Sequence, residues 1–199
     1  MPYKKVVIAT NNAHKLEEIS RMLEPLGWEF VSLGACGDFP EPVEDADTFE
    51  GNARIKARAA RENTGLPALA DDSGLVVDAL DGAPGVYSSR FAGEDATDAD
   101  NNAKLLELMA GVADEKRTAR FVCTLVFVDD DGSETVASGT CEGAIGYEQR
   151  GSNGFGYDPL FISDDCGGLT TAEVSAERKD AISHRGRALR KLVEMLRAL

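Results

Sequence analysis

Apolar and polar positions alternate along the chain in a way that predicts strands joined to amphipathic helices. Residues 6–9, Val-Val-Ile-Ala, form a short apolar run that enters a polar turn at 10–12, which is typical of a buried strand. Apolar positions then recur at helical spacing over 16–26, and Gly27 predicts where that helix ends. Residues 47–50 have the Asp-x-x-Glu spacing of a capping box and predict the start of a second helix.

The second half of the chain combines another helix with a hairpin. A strand is predicted at 67–70, ending on the acidic segment 71–74, and extended structure resumes at 75–77. A glycine-rich loop at 81–97 then leads into a helix capped by Thr97 or Asp98. After it we predict a strand at 120–128, one or two partner strands within 134–146, a loop at 150–159 and a closing helix from about 182 to 198. Helices alternate with strands early and a hairpin comes late, so we predict an α/β fold around a mixed sheet flanked by helices.

Size and charge narrow the class of protein. The 199 residues suit one domain, or one domain with two lobes, spanning residues 1–199. The net charge of −14 disfavours long nucleic acid and anionic membranes as partners. No apolar run approaches the ~20 residues that span a bilayer, and the N-terminal run is too short for a signal peptide. We therefore expect a cytoplasmic protein.

Cysteine and histidine usage points away from two further classes. Cys36, Cys123, Cys141 and Cys166 are widely spaced without a C-x-x-C pair, so buried thiols in a reducing compartment are favoured over a disulfide framework. The chain has only two histidines, which makes a histidine-based zinc enzyme a poor hypothesis.

The first candidate site is the turn after the first strand. It consists of Thr10, Asn11, Asn12, Ala13, His14 and Lys15. A strand that runs through a polar turn into a helix aims backbone N–H groups and the helix dipole at one point, which favours an anion. The alternative is a solvated turn with Asn12 as the N-cap.

The second candidate is the acidic segment 71–74, Asp-Asp-Ser-Gly. Adjacent carboxylates on a strand point to opposite faces, so one of Asp71 and Asp72 can serve a given cleft, by binding Mg²⁺ or activating water. Gly74 would permit a sharp turn. Glu44 and Glu50 could complete a set of ligands for a hard cation. The alternative is an acidic turn cap.

Two further segments have the composition of a ligand site. Residues 151–159 place several glycines around Phe155 and Tyr157, so the backbone could approach a ligand while a ring stacks on a base; a loop covering the core edge is the alternative. Residues 178–187 concentrate positive charge near the start of the last helix, which suggests an anionic or carbonyl-bearing ligand; a solvated basic face is the alternative.

Taken together, these segments make the chain resemble the inosine triphosphate pyrophosphatase family. The motifs that carry the resemblance are Thr10-x-Asn12-x-x-Lys15, Thr48-Phe49-Glu50-x-Asn52-Ala53-x-x-Lys56-Ala57, Ala70-Asp71-Asp72-Ser73-Gly74-Leu75, Gly82-Ala83-Pro84-Gly85-Val86-Tyr87-Ser88-x-Arg90, Gly154-Phe155-Gly156-Tyr157-Asp158-Pro159 and Ser183-His184-Arg185-Gly186. Six ordered motifs along nearly the whole chain are far more specific than any one of them.

The resemblance implies a fold, a reaction and roles for residues. It implies an elongated, two-lobed α/β fold with a twisted mixed sheet, a homodimer, and Mg²⁺-dependent hydrolysis of ITP, dITP and XTP to the monophosphate and pyrophosphate. It assigns the triphosphate to residues 10–15, with Lys15 also catalytic. Asp72 becomes the general base or metal ligand and Glu44 a second metal ligand. Around the substrate and its base it places Ser73, Phe155, Gly156, Tyr157, Asp158, Lys179, His184 and Arg185.

The predicted reaction has rivals. A Maf-type pyrophosphatase would share the architecture but act on other modified nucleotides, and the Ser183-His184-Arg185 motif argues against it. A nucleotide sensor without catalysis is opposed by the presence of Lys15 and Asp72, and a nucleic-acid-binding module by the net charge. The acidic surface does not exclude an anionic substrate, because Lys15, Lys179, His184 and Arg185 are expected to converge on one cleft.

Overall fold

The computed structural model describes residues 3–198. The N-terminal segment for which we predict no signal peptide begins at residues 1 and 2, which lie outside that range. The strands are β1 (Lys5–Ile8), β2 (Glu29–Ser32), β3 (Ala68–Val77), β4 (Thr118–Val128), β5 (Glu134–Ile145) and β6 (Phe161–Ser163). The helices are α1 (Ala13–Leu23), α2 (Leu33–Cys36), α3 (Phe49–Thr64), α4 (Asp98–Leu108), α5 (Ala176–Ile182) and α6 (His184–Ala198), with five short 3-10 turns between them.

The strands form one mixed sheet in the order β2-β1-β3-β4-β5-β6. Strand β1 pairs parallel with β2 and β3, whereas β5 and β6 pair antiparallel. The predicted mixed sheet with flanking helices is therefore confirmed. Strand β2 was missed because its sequence, Glu-Phe-Val-Ser, lacks the continuous apolar run that indicated the equally short β1.

The chain divides into two compact units, and β3, β4 and β5 contribute residues to both. The first unit comprises residues 3–72, 123–139 and 185–198, and the second comprises 73–122 and 140–184. In the first unit, strand residues alternate between two apolar clusters. One contains Ile8, Leu69, Phe127 and the buried faces of α1 and α6, and the other contains Val7, Ala70, Val126 and the alanines of α3. Helices thus cover both sheet faces of this unit.

In the second unit, α4 packs against the other ends of the central strands. Its buried Leu105 lies in one cluster with Leu75, Phe121 and Phe161. Thr97 caps α4 in a complete capping box with Asp100, so of the two predicted caps, Thr97 and Asp98, the first is confirmed.

Two predicted element boundaries are wrong, and one helix was not predicted. The cap of α3 is Thr48, whose Oγ1 accepts the Gly51 N–H at 3.1 Å, and not Asp47. Strand β3 runs without a break through the acidic segment, so Gly74 makes no turn. The predicted closing helix is confirmed as α6, whereas the separate helix α5 before it was missed; Ser183 between them has extended dihedral angles (φ −66°, ψ 158°).

Candidate active site

The turn between β1 and α1 forms a helix N-terminus that is open to an anion. Thr10 Oγ1 accepts the Asn12 N–H, and Asn12 Oδ1 accepts the Lys15 N–H, both at 3.1 Å, so Asn12 is the N-cap. The first turn of α1 itself contains no acidic residue, and the Glu41 carboxylate accepts a hydrogen bond from Asn11 Nδ2 at 2.5 Å just before the N-cap. The exposed residues of this turn are Asn11, Asn12, Ala13 and His14.

Asp71 and Asp72 point to opposite faces of β3. Asp71 follows Leu69 on the face that α1 and α6 cover, and Asp72 follows Ala70 on the face that α3 covers. The strand alternation places the two adjacent carboxylates in separate environments within the first unit.

Asp71 lies in a buried ion-pair network. Its side chain is fully buried and contacts Lys15 Nζ at 3.1 Å and Arg185 Nη2 at 3.0 Å. Arg185 also donates to Glu18 Oε2 at 2.5 Å, and its side chain is only 2% exposed. Burial opposes the charge on Arg185, but the carboxylates of Asp71 and Glu18 outweigh it and raise the pKa, so the guanidinium stays protonated.

Asp72 faces Lys56, which lies in one of the motifs of the sequence and has no predicted role. Lys56 Nζ on α3 lies 2.8 Å from Asp72 Oδ1 and 3.0 Å from Glu44 Oε2, and so joins the two predicted metal ligands. One turn earlier on α3, buried Asn52 accepts the Ala46 N–H at 3.0 Å, which ties down the loop that carries Glu44. The signal that could have revealed Lys56 is its helical spacing from Asn52, which puts both on one face of α3.

The electrostatics of this pair follow from its burial. Burial raises the pKa of the Asp72 carboxyl, although Lys56 pulls it the other way. Burial would lower the pKa of Lys56, but the neighbouring carboxylates, Asp72 first, raise it. The second oxygen, Asp72 Oδ2, is buried and has no hydrogen-bond partner among the described residues. A buried carboxylate oxygen without a partner is costly, which suggests that it serves a ligand.

This donor set fits a magnesium ion shared with a substrate. No three His, Cys, Asp or Glu side chains within residues 3–198 are grouped so that they could hold a metal by themselves. Magnesium is usually held by one or two carboxylates together with substrate phosphates and water. Asp72 and Glu44 contact the same ammonium group, Asp72 through Oδ1, and Asp72 Oδ2 is left without a partner among the described residues. The two carboxylates have the chemistry and number for that role.

In the second unit, Asp158 organises the glycine-rich loop at 151–159. Its Oδ2 accepts the Phe155 N–H at 2.9 Å and contacts Lys179 Nζ at 2.6 Å, while Oδ1 accepts the Thr171 hydroxyl at 2.7 Å. Gly154 is required here, because its φ is +74° and an added Cβ would lie 2.1 Å from Asp158 Oδ2. Lys179 Nζ also lies 4.7 Å from the centre of the Phe155 ring.

Three other predicted residues of the second unit differ in their burial. Tyr157 belongs to the apolar core and donates its hydroxyl to Ser88 O at 2.7 Å; burial raises its pKa, so the phenol stays protonated. His184 is buried and stacks on Phe121, with ring centres 4.7 Å apart. Ser73 is half-buried within β3.

The sequence predicts neither a membrane-spanning segment nor a disulfide framework. Among residues 3–198, no helix combines the length and apolarity needed to cross a membrane. The four cysteines form no disulfide; Cys123, Cys141 and Cys166 are buried and Cys36 is half-buried.

The first unit has a sheet with helices on both faces. Its buried Asp71 contacts Lys15 in the first turn of α1. These features define an α/β protein with a candidate anion and metal site. The profile of the Ham1 family matches residues 6–195, and the chain belongs to that family. The resemblance predicted from the motifs is thereby confirmed.

Curated relatives and solved structures match along nearly their whole lengths. The dITP/XTP pyrophosphatase of Desulforamulus reducens is 52% identical over 195 residues, covering 98% of this chain and 96% of the relative. The enzyme of the same name from Geobacter sulfurreducens is 52% identical over 192 residues, covering 96% of each. A HAM1 protein from Coxiella burnetii has a TM-score of 0.89 at 42% identity, covering 98% of this chain and all of that one. The dITP/XTP pyrophosphatase structure from Mycobacterium abscessus has a TM-score of 0.78 at 46% identity, covering 96% and 99%.

Proposed function

We propose that this protein hydrolyses the non-standard purine nucleoside triphosphates ITP, dITP and XTP to the monophosphate and pyrophosphate, and so cleanses the nucleotide pool. The observation that carries the proposal is buried Asp72, with one oxygen 2.8 Å from Lys56 and the other without a partner among the described residues. Curated relatives that are half identical to this chain bear the name dITP/XTP pyrophosphatase, which supports the same reaction.

The first unit supplies the groups for the phosphates and for water. The open N-terminus of α1 and Lys15 hold the triphosphate. Asp72 Oδ2 orients the attacking water or removes its proton, and a desolvated carboxylate is suited to that task. Asp72 and Glu44 would hold Mg²⁺, which would supply positive charge to offset the negative charge of the phosphates. Lys56 keeps the two carboxylates together.

The second unit supplies groups suited to a purine. The Phe155 ring offers a stacking face, which is worth about 1–3 kcal/mol for a base. Lys179 stays next to that ring through Asp158. Donors aimed at a 6-oxo group reject adenine, because its amino group leaves them unpaired.

Arg185 was predicted to be such a donor, and this role stays a prediction. At least three of its five N–H groups point to Asp71 and Glu18. The contacts support a role for Arg185 in holding Asp71 in place. The ratio of kcat/KM for ITP over ATP, measured on an Arg185 variant, tests whether Arg185 also hydrogen-bonds the base.

Magnesium dependence, a homodimeric state and a cytoplasmic location are part of the proposal. Magnesium is supported by the donor set of Asp72 and Glu44. The absence of disulfides among the four cysteines agrees with a reducing compartment. Size-exclusion chromatography with light scattering tests the dimer, and titration of Mg²⁺ tests the metal requirement.

The deciding experiment presents ITP, dITP, XTP, dGTP and dATP with Mg²⁺ and measures pyrophosphate and phosphate separately. We expect pyrophosphate from the first three and much slower turnover of dGTP and dATP. Phosphate as the main product would overturn cleavage between the α- and β-phosphates, and equal turnover of dATP would overturn the substrate class. Binding without any product would support a nucleotide sensor instead.

A further inference from the structure

Helix α4 holds one residue of the glycine-rich loop from two sides. Asp98 Oδ2 accepts the Gly156 N–H at 2.6 Å, and Asn102 Nδ2 donates to Gly156 O at 2.9 Å. Asp98 and Asn102 are one turn apart on α4, so they project from the same helix face. All three residues belong to the second unit.

The restrained residue lies between the two aromatic side chains of the loop. Gly156 has φ +59°, a left-handed conformation that a glycine can leave at little cost. Fixing both its N–H and its C=O removes that freedom, and thereby sets the direction of the chain between Phe155 and Tyr157.

Packing alone does not account for Asn102. The residue is 2% exposed, and its Oδ1 is buried with no hydrogen-bond partner among residues 3–198. A buried polar atom without a partner lowers stability, so an apolar side chain would suit the core better at this position. What an apolar side chain could not supply is the N–H donated to Gly156.

We propose that Asp98 and Asn102 are positioning residues that pre-organise the Phe155–Tyr157 segment for the substrate base. The inference rests on the proposed function, because it takes this loop as the base-binding element. A loop that is already ordered loses less conformational freedom on binding, so the effect falls on substrate affinity and spares the chemical step.

The test compares Asp98→Ala and Asn102→Ala with two matched variants. Asp98→Asn keeps an oxygen that can accept the Gly156 N–H. Asn101→Ala removes a neighbouring asparagine that is 3% exposed and makes two hydrogen bonds, but to Ala92 N and Ser89 O rather than to the loop. Each variant is assayed with ITP and with ribose 5-triphosphate, which lacks the base.

We expect Asp98→Ala and Asn102→Ala each to raise the KM for ITP about tenfold, which corresponds to about 1.4 kcal/mol, with kcat little changed. The KM for ribose 5-triphosphate should not change, Asp98→Asn should restore the KM for ITP, and Asn101→Ala should lower the melting temperature without changing either KM. An equal rise in KM for both substrates, or the same response to Asn101→Ala, would overturn the positioning role.

Amide hydrogen exchange at Gly156, measured without nucleotide, separates this inference from the proposed function. Asp98→Ala should accelerate exchange at Gly156 relative to wild type and to Asp98→Asn, and an unchanged rate would overturn the restraint. A wild-type protein that leaves ITP intact would refute the proposed function, and the exchange rates would still decide whether α4 fixes the loop.

Discussion

Replacing each of the two adjacent aspartates by asparagine should produce opposite phenotypes. Asp71 is fully buried and contacts Lys15 and Arg185, so Asp71→Asn leaves Arg185 with less compensating charge. Removing one partner of a buried pair costs about 3–5 kcal/mol. We expect the lower end, about 3 kcal/mol, because Asn retains an acceptor and Glu18 still pairs with Arg185. For a chain of this size that lowers the melting temperature by roughly 6–12 °C.

Asp72→Asn should instead stop the reaction while the fold remains. Lys56 keeps Glu44 at 3.0 Å, and burial already disfavours the charged form of Asp72, so we expect stability to change by less than about 1 kcal/mol. Turnover of ITP should fall at least ~100-fold, as for the loss of a general base.

Urea unfolding with a constant m-value gives the stability change, and pyrophosphate release under saturating ITP gives turnover. Each variant is the matched control for the other, because the chemical change is identical and the positions are adjacent. An Asp71→Asn protein as stable as wild type would contradict the buried network. Near-normal turnover of Asp72→Asn would move the catalytic role to another residue.

The remaining predictions concern base selection, pH and the loop. Arg185→Lys keeps a positive charge but removes the planar guanidinium, so the ratio of kcat/KM for ITP over ATP should fall about tenfold or more if Arg185 reads the base; an unchanged ratio refutes that role. Hydrogen bonds from the α3 arginines lower the pKa of Glu134, so its contribution to stability, at most about 1 kcal/mol, is present at neutral pH and is lost as the pH falls through that lowered pKa. Urea unfolding of Glu134→Gln should therefore differ from wild type at neutral pH and converge with it in acid. Gly154→Ala should displace the Asp158 carboxylate and raise the KM for ITP, whereas Gly167→Ala, at φ +61° with no atom near an added Cβ, should affect stability only.

The fold could be predicted where a pattern was long or a cap was specific. The helical spacing over 16–26 and the glycine at 27 correctly indicated α1 and the turn that follows it. The break in β3 was predicted wrongly because acidic residues and a glycine are common in turns, whereas here ion pairs to Lys15, Arg185 and Lys56 stabilise the carboxylates within the strand. Tertiary contacts overrode local propensity.

The sequence indicated candidate site residues, but it did not indicate which residues they contact. Sequence motifs indicated Asp72, Lys15 and Glu44, but the pairing of Asp71 with Arg185 joins positions 114 residues apart. The contacts of Glu18 and Lys56 likewise depend on how helices pack on the sheet, which no local spacing encodes.

The bridge that Lys56 makes between Glu44 and Asp72 bears on how the protein can be handled. An ammonium group within 3.0 Å of both carboxylates serves as a built-in counter-ion, so the acidic pair does not depend on an added divalent cation to avoid repulsion. Purification and storage in chelating buffer should therefore leave the melting curve unchanged, and activity should return as soon as Mg²⁺ is restored, without a refolding delay.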